Sequence, residues 1–165
     1  MSKLESFIRR MTAQRDCLNH TVELIKDLPG IVFELGLGNG RSYNHLCQIL
    51  PEREIYVFDR RIASFPSCTP PEDHLFIGEV THTLLKAAKV FGKKVAMVHV
   101  DLGTSDTVSS KQMMSKICPL LEPLVLPGAV IVSDTEFHGP VWEKIPGPMG
   151  IKKDRYFLYQ TSSGL

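Results

Sequence analysis

Short, nearly continuous apolar runs alternate along this chain with longer segments in which apolar residues recur every three or four positions. The runs are strand-sized and rich in β-branched residues, whereas the longer spacing is that of a helix with one buried face. Strands are predicted over residues 31–33, 54–59, 74–78, 94–101 and 129–134, and helices over 41–50, 80–91 and 111–121. This alternation indicates an α/β three-layer sandwich, in which a mostly parallel central sheet has helices on both faces.

The two ends of the chain extend this pattern. Phe7, Met11 and Leu18 fall near one stripe and predict a helix over residues 2–27, so that residues 1–28 form an N-terminal covering helix, or one that closes over a ligand cleft. Near the other end, a weak helical piece is predicted around 141–144. An alternating aromatic run at 155–160 predicts a final antiparallel strand at an edge of the sheet.

Length and composition narrow the class of protein. A chain of 165 residues is expected to form a single domain over 1–165. A net charge of +1 gives no polybasic surface for nucleic acid, and no apolar stretch is long enough to span a membrane. The first residues lack a secretory signal, and the four scattered cysteines form no C-x-x-C pair. We therefore expect a cytoplasmic protein with no nucleic-acid or membrane partner.

The most informative stretch joins the first strand to the helix that follows it. After the apolar run come Glu34 and three glycines on alternate positions, Gly36, Gly38 and Gly40. Glycines let the backbone adopt positive φ and let a ligand approach closely, and the helix start offers free N–H groups to that ligand. Arg41 occupies the place where a dinucleotide-binding fingerprint needs its third glycine, which argues against a nicotinamide dehydrogenase.

This pattern of strand, acid and glycines resembles motif I of the class I S-adenosylmethionine-dependent methyltransferases. The resemblance implies a Rossmann-like fold and S-adenosylmethionine as cofactor. It further implies that the loop containing Gly36, Gly38, Asn39 and Gly40 wraps around the methionine half of the cofactor. Glu34 is then expected near the cofactor's amino group, directly or through water.

Acidic residues after the second and third strands add to this resemblance. Asp59 ends the second strand, where a carboxylate usually holds a ribose diol, and it resembles motif II of the same family. Arg60 follows it and either lines the same cleft or carries surface charge. Gly78 and Glu79 lie where the family recognises adenine; alternatively, Glu79 only stabilises the start of a helix.

Candidate catalytic residues follow the fourth and fifth strands. The resemblance places the reacting methyl group at the end of the fourth strand, so Asp101 is a candidate for the active centre, and Asp134 ends the fifth strand. A nucleophile that carries a proton needs a base, for which His138 is the first choice and Glu136 the second. His99, two residues before Asp101, is expected to be a hydrogen-bonded interior histidine.

The two strand-end aspartates are also similar to the metal-binding pair of catechol- and caffeoyl-CoA-type O-methyltransferases. Those enzymes have an amide after the second aspartate, whereas this chain has Thr135, and a clear third ligand is lacking. Hard oxygen ligands would suit Mg²⁺, but these departures lead us to expect no metal.

The predicted function is therefore methyl transfer from S-adenosylmethionine to an oxygen or nitrogen of a small-molecule acceptor. The alternatives are a module that binds the cofactor without catalysis and a Rossmann-type nucleotide-dependent oxidoreductase. The proline-rich segment 62–73 either shapes the adenine or acceptor pocket or is a surface excursion. The aromatic run at 156–159 hints at a homo-oligomer.

Overall fold

The computed structural model describes residues 2–103, 106–136, 142–152 and 155–162. Seven strands of this part form one sheet in the order β3-β2-β1-β4-β5-β7-β6. Their bounds are β1 Ile31–Leu35, β2 Ile55–Asp59, β3 Leu75–Ile77, β4 Val95–Val100, β5 Val125–Ser133, β6 Trp142–Ile145 and β7 Phe157–Thr161. The first five strands run parallel, and β7 and β6 run antiparallel to their neighbours.

Helices cover both faces of the sheet, which confirms the predicted three-layer α/β fold. Their bounds are α1 Lys3–Leu24, α2 Arg41–Ile49, α3 Val80–Phe91 and α4 Thr107–Leu121. One apolar cluster joins α1 and α2 to the sheet, and a second joins α3 and α4 to its other face. Among the described residues, no helix combines the length and the apolar character that crossing a membrane requires.

Alternation along the central strands explains why both clusters form. In β1, Val32 packs with α1 and α2, whereas Phe33 packs with α3 and α4. Met97 and Val98 divide β4 in the same way. Because both faces of these strands are buried, their sequences are almost continuously apolar.

The strand order creates a crevice at the carboxyl ends of the central parallel strands. From β1 the chain moves outward to β2 and β3, and then returns so that β4 lies on the other side of β1. The connections that leave the carboxyl ends of β1 and β4 therefore diverge. Open α/β sheets bind ligands at such a point.

Two predicted elements near the C-terminus differ from the structure. The segment predicted as weakly helical around 141–144 contains β6, which pairs with β7 and forms the outer edge of the sheet in its place. Four residues are too few for a stable isolated helix, and the free edge of β7 offers hydrogen-bond partners. In addition, β5 begins at Val125 rather than Ala129, because Pro127 and Gly128 lie at a register shift that does not end the strand.

Candidate active site

The glycine loop, residues 36–40, connects β1 to α2 at the crevice. All three of its glycines have positive φ, at +98°, +49° and +81°. A Cβ on Gly36 would lie 2.4 Å from the carbonyl oxygen of Asp101, and one on Gly40 would lie 2.5 Å from that of Cys68. A Cβ on Gly38 would meet nothing within 4 Å. Gly36 and Gly40 thus permit close packing, whereas Gly38 leaves open room above the loop.

Asp59, at the end of β2, holds the glycine loop in place. Its Oδ2 accepts hydrogen bonds from the backbone N–H groups of Leu37 at 2.8 Å and Gly38 at 3.2 Å. The sequence predicts Asp59 as a ribose ligand but does not reveal this supporting contact. The residue therefore shapes the loop as well as lying beside it.

The predicted residues after β2 and β3 lie together. The N–H of Gly78 donates to the carbonyl oxygen of Asp59 at 2.9 Å. The Arg60 Nε lies 3.6 Å from Glu79 Oε2, and both side chains are largely open to solvent. These contacts place the four residues side by side at the carboxyl ends of the two strands, outside the lining of the two cavities described below.

The 62–73 segment packs against the glycine loop, although most of its residues are exposed and none lines the two cavities described below. The N–H of Phe65 donates to the carbonyl oxygen of Asn39 at 3.2 Å, and the Arg41 guanidinium carbon lies 5.7 Å from the centre of the Phe65 ring. Ser64 and Cys68 lie where a side chain on Gly40 would project. This packing requires a glycine at position 40.

Glu34 lies beneath the glycine loop, fully buried, rather than on a cavity surface. Ser42 Oγ donates to its Oε1, and His99 Nδ1 donates to its Oε2 at 2.6 Å. The alternation of β1 and β4 explains this position, because Glu34 and His99 project to the same face as Val32 and Met97. His99 is fully buried and hydrogen-bonded, as expected of an interior histidine.

A chain of buried hydrogen bonds continues from His99 to the end of β4. His99 Nε2 lies 3.1 Å from Tyr156 Oη. Gln14 Nε2 donates both to Tyr156 Oη at 2.8 Å and to Asp101 Oδ2 at 2.9 Å. No buried side-chain polar atom in the described residues lacks a hydrogen-bond partner. This network, Ser42–Glu34–His99–Tyr156–Gln14–Asp101, connects the start of α2 to the end of β4.

Burial and the charges in this network shift the pKa values of two of its members, His99 and Tyr156. Burial alone lowers the pKa of His99, but the Glu34 carboxylate beside it, together with the Asp101 and Asp134 carboxyls, more than offsets that effect, so the pKa of His99 lies above its usual range. Burial, together with the nearby Asp101 and Asp134 carboxyls, holds the pKa of Tyr156 well above its usual range. Tyr156 is therefore an uncharged hydroxyl throughout the neutral range.

Asp101 and Asp134 form a hydrogen-bonded carboxyl pair with unequal proton affinity. Burial opposes ionisation of Asp101, but His99 and Arg10, whose Nη2 lies 2.8 Å from Asp101 Oδ1, lower its pKa below the usual range. Burial and the Asp101 charge raise the pKa of Asp134 to about 6. The pair therefore shares one proton, which Asp134 releases close to neutral pH.

Two cavities meet at the carboxyl ends of β4 and β5. The smaller, about 230 Å³, lies between α1 and the glycine loop. Its lining includes Phe7, Arg10, Met11, Gln14, Gly36, Gly38, Asn39, Asp101 and Gly103. The larger, about 800 Å³, shares Arg10 and Gly103 with it and adds Asp134, Thr135 and Glu136. A ligand in one cavity is thus adjacent to a ligand in the other.

The two cavities bring together only part of the predicted site. Gly36, Gly38, Asn39 and Asp101 share the smaller cavity, and Asp134 borders the larger. His138, the predicted base, lies outside the described residues. Within those residues, no group of three or more His, Cys, Asp or Glu side chains is placed to hold a metal ion.

The predicted N-terminal helix can close over a ligand cleft, but the prediction does not identify the side chains that α1 contributes. Arg10 and Gln14, one helical turn apart, both bind Asp101. They interrupt the apolar stripe that contains Phe7, Met11 and Leu18. Polar residues within such a stripe are the signal by which these contacts could have been found.

Comparison with known proteins adds independent findings. The model of a family described as S-adenosyl-L-methionine methyltransferase matches residues 1–161. An S-adenosyl-L-methionine methyl transferase from Silicibacter pomeroyi DSS-3 is 41% identical, with a TM-score of 0.93 over 98% of this chain and 99% of that one. No curated protein matches the sequence.

Two more distant structures share the fold. Human methyltransferase-like protein 13, solved with S-adenosylhomocysteine, is 11% identical, with a TM-score of 0.54 over 94% of this chain and 82% of that one. The MycE methyltransferase of the mycinamycin biosynthetic pathway, solved with Mg and S-adenosylhomocysteine, is 13% identical. Its TM-score is 0.60 over 88% of this chain and 45% of that one.

Proposed function

The chain belongs to the family of S-adenosyl-L-methionine methyltransferases, and on that premise we propose that it methylates an oxygen or nitrogen atom of a small-molecule acceptor. The enzyme depends on S-adenosylmethionine, as its family does. One observation carries the proposal for the acceptor: a cavity of about 800 Å³ opens beside the glycine-loop cavity at Gly103. Cavities of this size hold small molecules.

The residues around the smaller cavity fit the methionine half of the cofactor. Gly38 leaves open room above the loop, and the N-cap residue of α2, Gly40, makes no side-chain cap bond. The N–H groups at the start of α2 are thus free to face a carboxylate. We assign Gly36, Gly38, Asn39 and Gly40 to this half, and Asp101 to its amino group.

The surface at β2 and β3 is assigned to the nucleoside half. Asp59 would accept hydrogen bonds from the ribose hydroxyls, and Gly78 and Glu79 would border the adenine. Arg60, paired with Glu79, would orient that carboxylate. Glu34 has no open surface, so we assign it an indirect role, in which it fixes the Ser42 hydroxyl at the edge of the smaller cavity.

The chain's own chemical task is to hold the acceptor and to take up its proton. S-adenosylmethionine supplies a methyl group already activated on a positive sulfur, so alignment contributes much of the rate. Asp134 lines the acceptor cavity, and its pKa of about 6 suits a base near neutral pH. We propose Asp134 as that base, with Asp101 as its partner and His138 as a further candidate.

Methyl transfer to a panel of phenols, amines and hydroxy acids tests this proposal. The parent protein should release S-adenosylhomocysteine with at least one acceptor. Asp134→Asn should bind S-adenosylmethionine normally but lower kcat about 100-fold, the usual contribution of a general base. Glu136→Gln changes the other candidate base in the described lining of that cavity, and it should stay close to the parent if Asp134 is the base. Binding of the cofactor without transfer to any acceptor would instead favour the module without catalysis.

The cellular setting is also part of the proposal. We place the enzyme in the cytoplasm, where its four cysteines, which form no disulfide, would remain reduced. We also propose association into a homo-oligomer. The aromatic run at 156–159 cannot supply the contact, because it is buried and β7 pairs on both sides, so β6 offers the free edge instead.

A further inference from the structure

The larger cavity collects basic side chains from three separate parts of the chain. Lys3 lies at the start of α1, Lys111 in α4, and Arg155 two residues before β7. The net charge of the whole chain is only +1, so this local accumulation does not follow from a basic composition. Three distant segments of sequence bring like charges to one concave surface.

Positive charge exceeds negative charge in the described lining of this cavity, which has the basic side chains Lys3, Arg10, Lys111 and Arg155 and the acids Asp134 and Glu136. Arg10, which also lines the cavity, is paired with Asp101, and Glu136 is paired with Lys144. Lys3, Lys111 and Arg155 form no ion pair with any described residue. Because like charges in one cavity repel one another, an anion bound there would relieve an electrostatic cost.

We propose that the methyl acceptor of this enzyme is a small anion whose carboxylate or phosphate group is bound by Lys3, Lys111 and Arg155. This inference rests on the proposed function, since it names the substrate class of the same site. A guanidinium can bind such a group in two-point fashion, and the two ammonium groups add point charges. The anchored anion leaves the rest of the acceptor to face Gly103, where the cavities meet.

Calorimetry on the protein saturated with S-adenosylhomocysteine tests the anion site without requiring turnover. Inorganic phosphate and malonate are the two probes, and they distinguish a phosphate site from a carboxylate site. At least one should bind saturably at low salt, and high salt should weaken it. The double variant Lys111→Gln/Arg155→Gln should weaken that binding about tenfold or more, which corresponds to about 1.4 kcal/mol.

The control is Lys86→Gln/Lys93→Gln, which removes the same charge from exposed positions outside the cavity. It should bind the probe as the parent does, and both variants should keep the parent's affinity for S-adenosylhomocysteine. An equal loss of affinity for the probe in both variants would overturn the anion site. So would an unchanged affinity in Lys111→Gln/Arg155→Gln. Tighter binding of a single-stranded RNA through the same two side chains would overturn the small-molecule class.

The acceptor panel separates this inference from the function on which it rests. In this panel, each acid is paired with its neutral carboxamide. The parent protein should methylate the acids alone. The variant Lys111→Gln/Arg155→Gln should raise the KM for those acids and change kcat little. Transfer to neutral acceptors only would overturn the inference and leave the proposed function intact. No transfer to any acceptor would overturn the proposed function, while the calorimetric result would still decide whether the anion site exists.

Discussion

Gly38 is the residue of the glycine loop whose side-chain position faces open space. Its neighbours Gly36 and Gly40 have backbone atoms within 2.5 Å of the place where a Cβ would lie, so substitution there would disturb the fold itself. Gly38 lines the smaller cavity, and a Cβ at this position would meet no atom within 4 Å. A substitution at this position therefore tests ligand binding more cleanly than one at either neighbour.

Gly38→Val should weaken binding of S-adenosylhomocysteine about tenfold or more, because the added side chain occupies room that the ligand needs. Gly92→Val is the matched control. Gly92 also has positive φ and open space around it, but it lies at the end of α3, outside the described cavity lining. Both variants should lose stability from backbone strain, and calorimetry should show a loss of affinity only for Gly38→Val. Equal affinity in the two variants would contradict the assignment.

Asp134 makes the stability of the protein depend on pH. A carboxyl whose pKa rises from 3.8 to about 6 on folding binds a proton more tightly in the native state. The free energy of unfolding should therefore fall as pH rises through this window, and the loss should be complete above about pH 6.

The variant Asp134→Asn lacks this carboxyl and should not show that loss. The free energy of unfolding of the variant minus that of the parent should therefore increase by on the order of 2 kcal/mol from pH 4 to pH 7. Urea unfolding at several pH values measures the difference. Parallel pH profiles for the two proteins would show that the carboxyl pair does not share a proton in the way described.

At the scale of elements, one buried network holds the covering helix to the sheet. Gln14 of α1 reaches both Tyr156, just before β7, and Asp101, just after β4. His99 of β4 then joins Tyr156 to Glu34 of β1. Four elements that are far apart in sequence are thus fixed relative to one another beneath the two cavities.

Tyr156→Phe should destabilise the protein by about 1–3 kcal/mol, since it leaves a buried nitrogen of His99 without its partner. Tyr56→Phe is the matched control, because its hydroxyl bonds only the exposed Glu54, at 3.3 Å, and it should change stability by no more than about 0.5 kcal/mol. Chemical denaturation of the two variants checks this. Similar losses in both would mean that the network adds no stability.

The order of the central elements could be predicted from the sequence because local signals determine them. The apolar runs and the Gly36–Gly40 pattern give the strands, the loop and the start of α2. The β6 strand could not be predicted, because only the free edge of β7 makes residues 142–145 extended. Likewise, Pro127 and Gly128 are turn residues by composition, but the neighbouring β4 accommodates them at a register shift within β5.

The candidate site was only partly predictable for a similar reason. The acidic residues at the strand ends could be predicted from their places in the sequence. Their hydrogen-bond partners could not, because these come from distant parts of the chain. Asp101 binds Arg10, 91 residues away, and Glu34 binds His99, 65 residues away. Such pairs depend on the packing of α1 and on strand register, which no local pattern encodes.

At the scale of the whole molecule, α1 and the sheet together build the site. The sheet supplies the glycine loop and the strand-end acids, and α1 lies across them as one boundary of both cavities. Arg10 stands where these cavities meet and is paired with Asp101. The N-terminal helix is therefore more than a cover for the sheet, because it shapes the junction between the two cavities.

We propose that the cofactor binds between α1 and the glycine loop, next to the larger cavity. A crystal structure of the protein with S-adenosylhomocysteine tests it most directly. We expect the amino-acid end of the ligand above Gly38, its ribose hydroxyls at Asp59, and its sulfur facing Gly103 and the larger cavity. A ligand bound elsewhere, or one whose sulfur points away from the larger cavity, would rule out this placement.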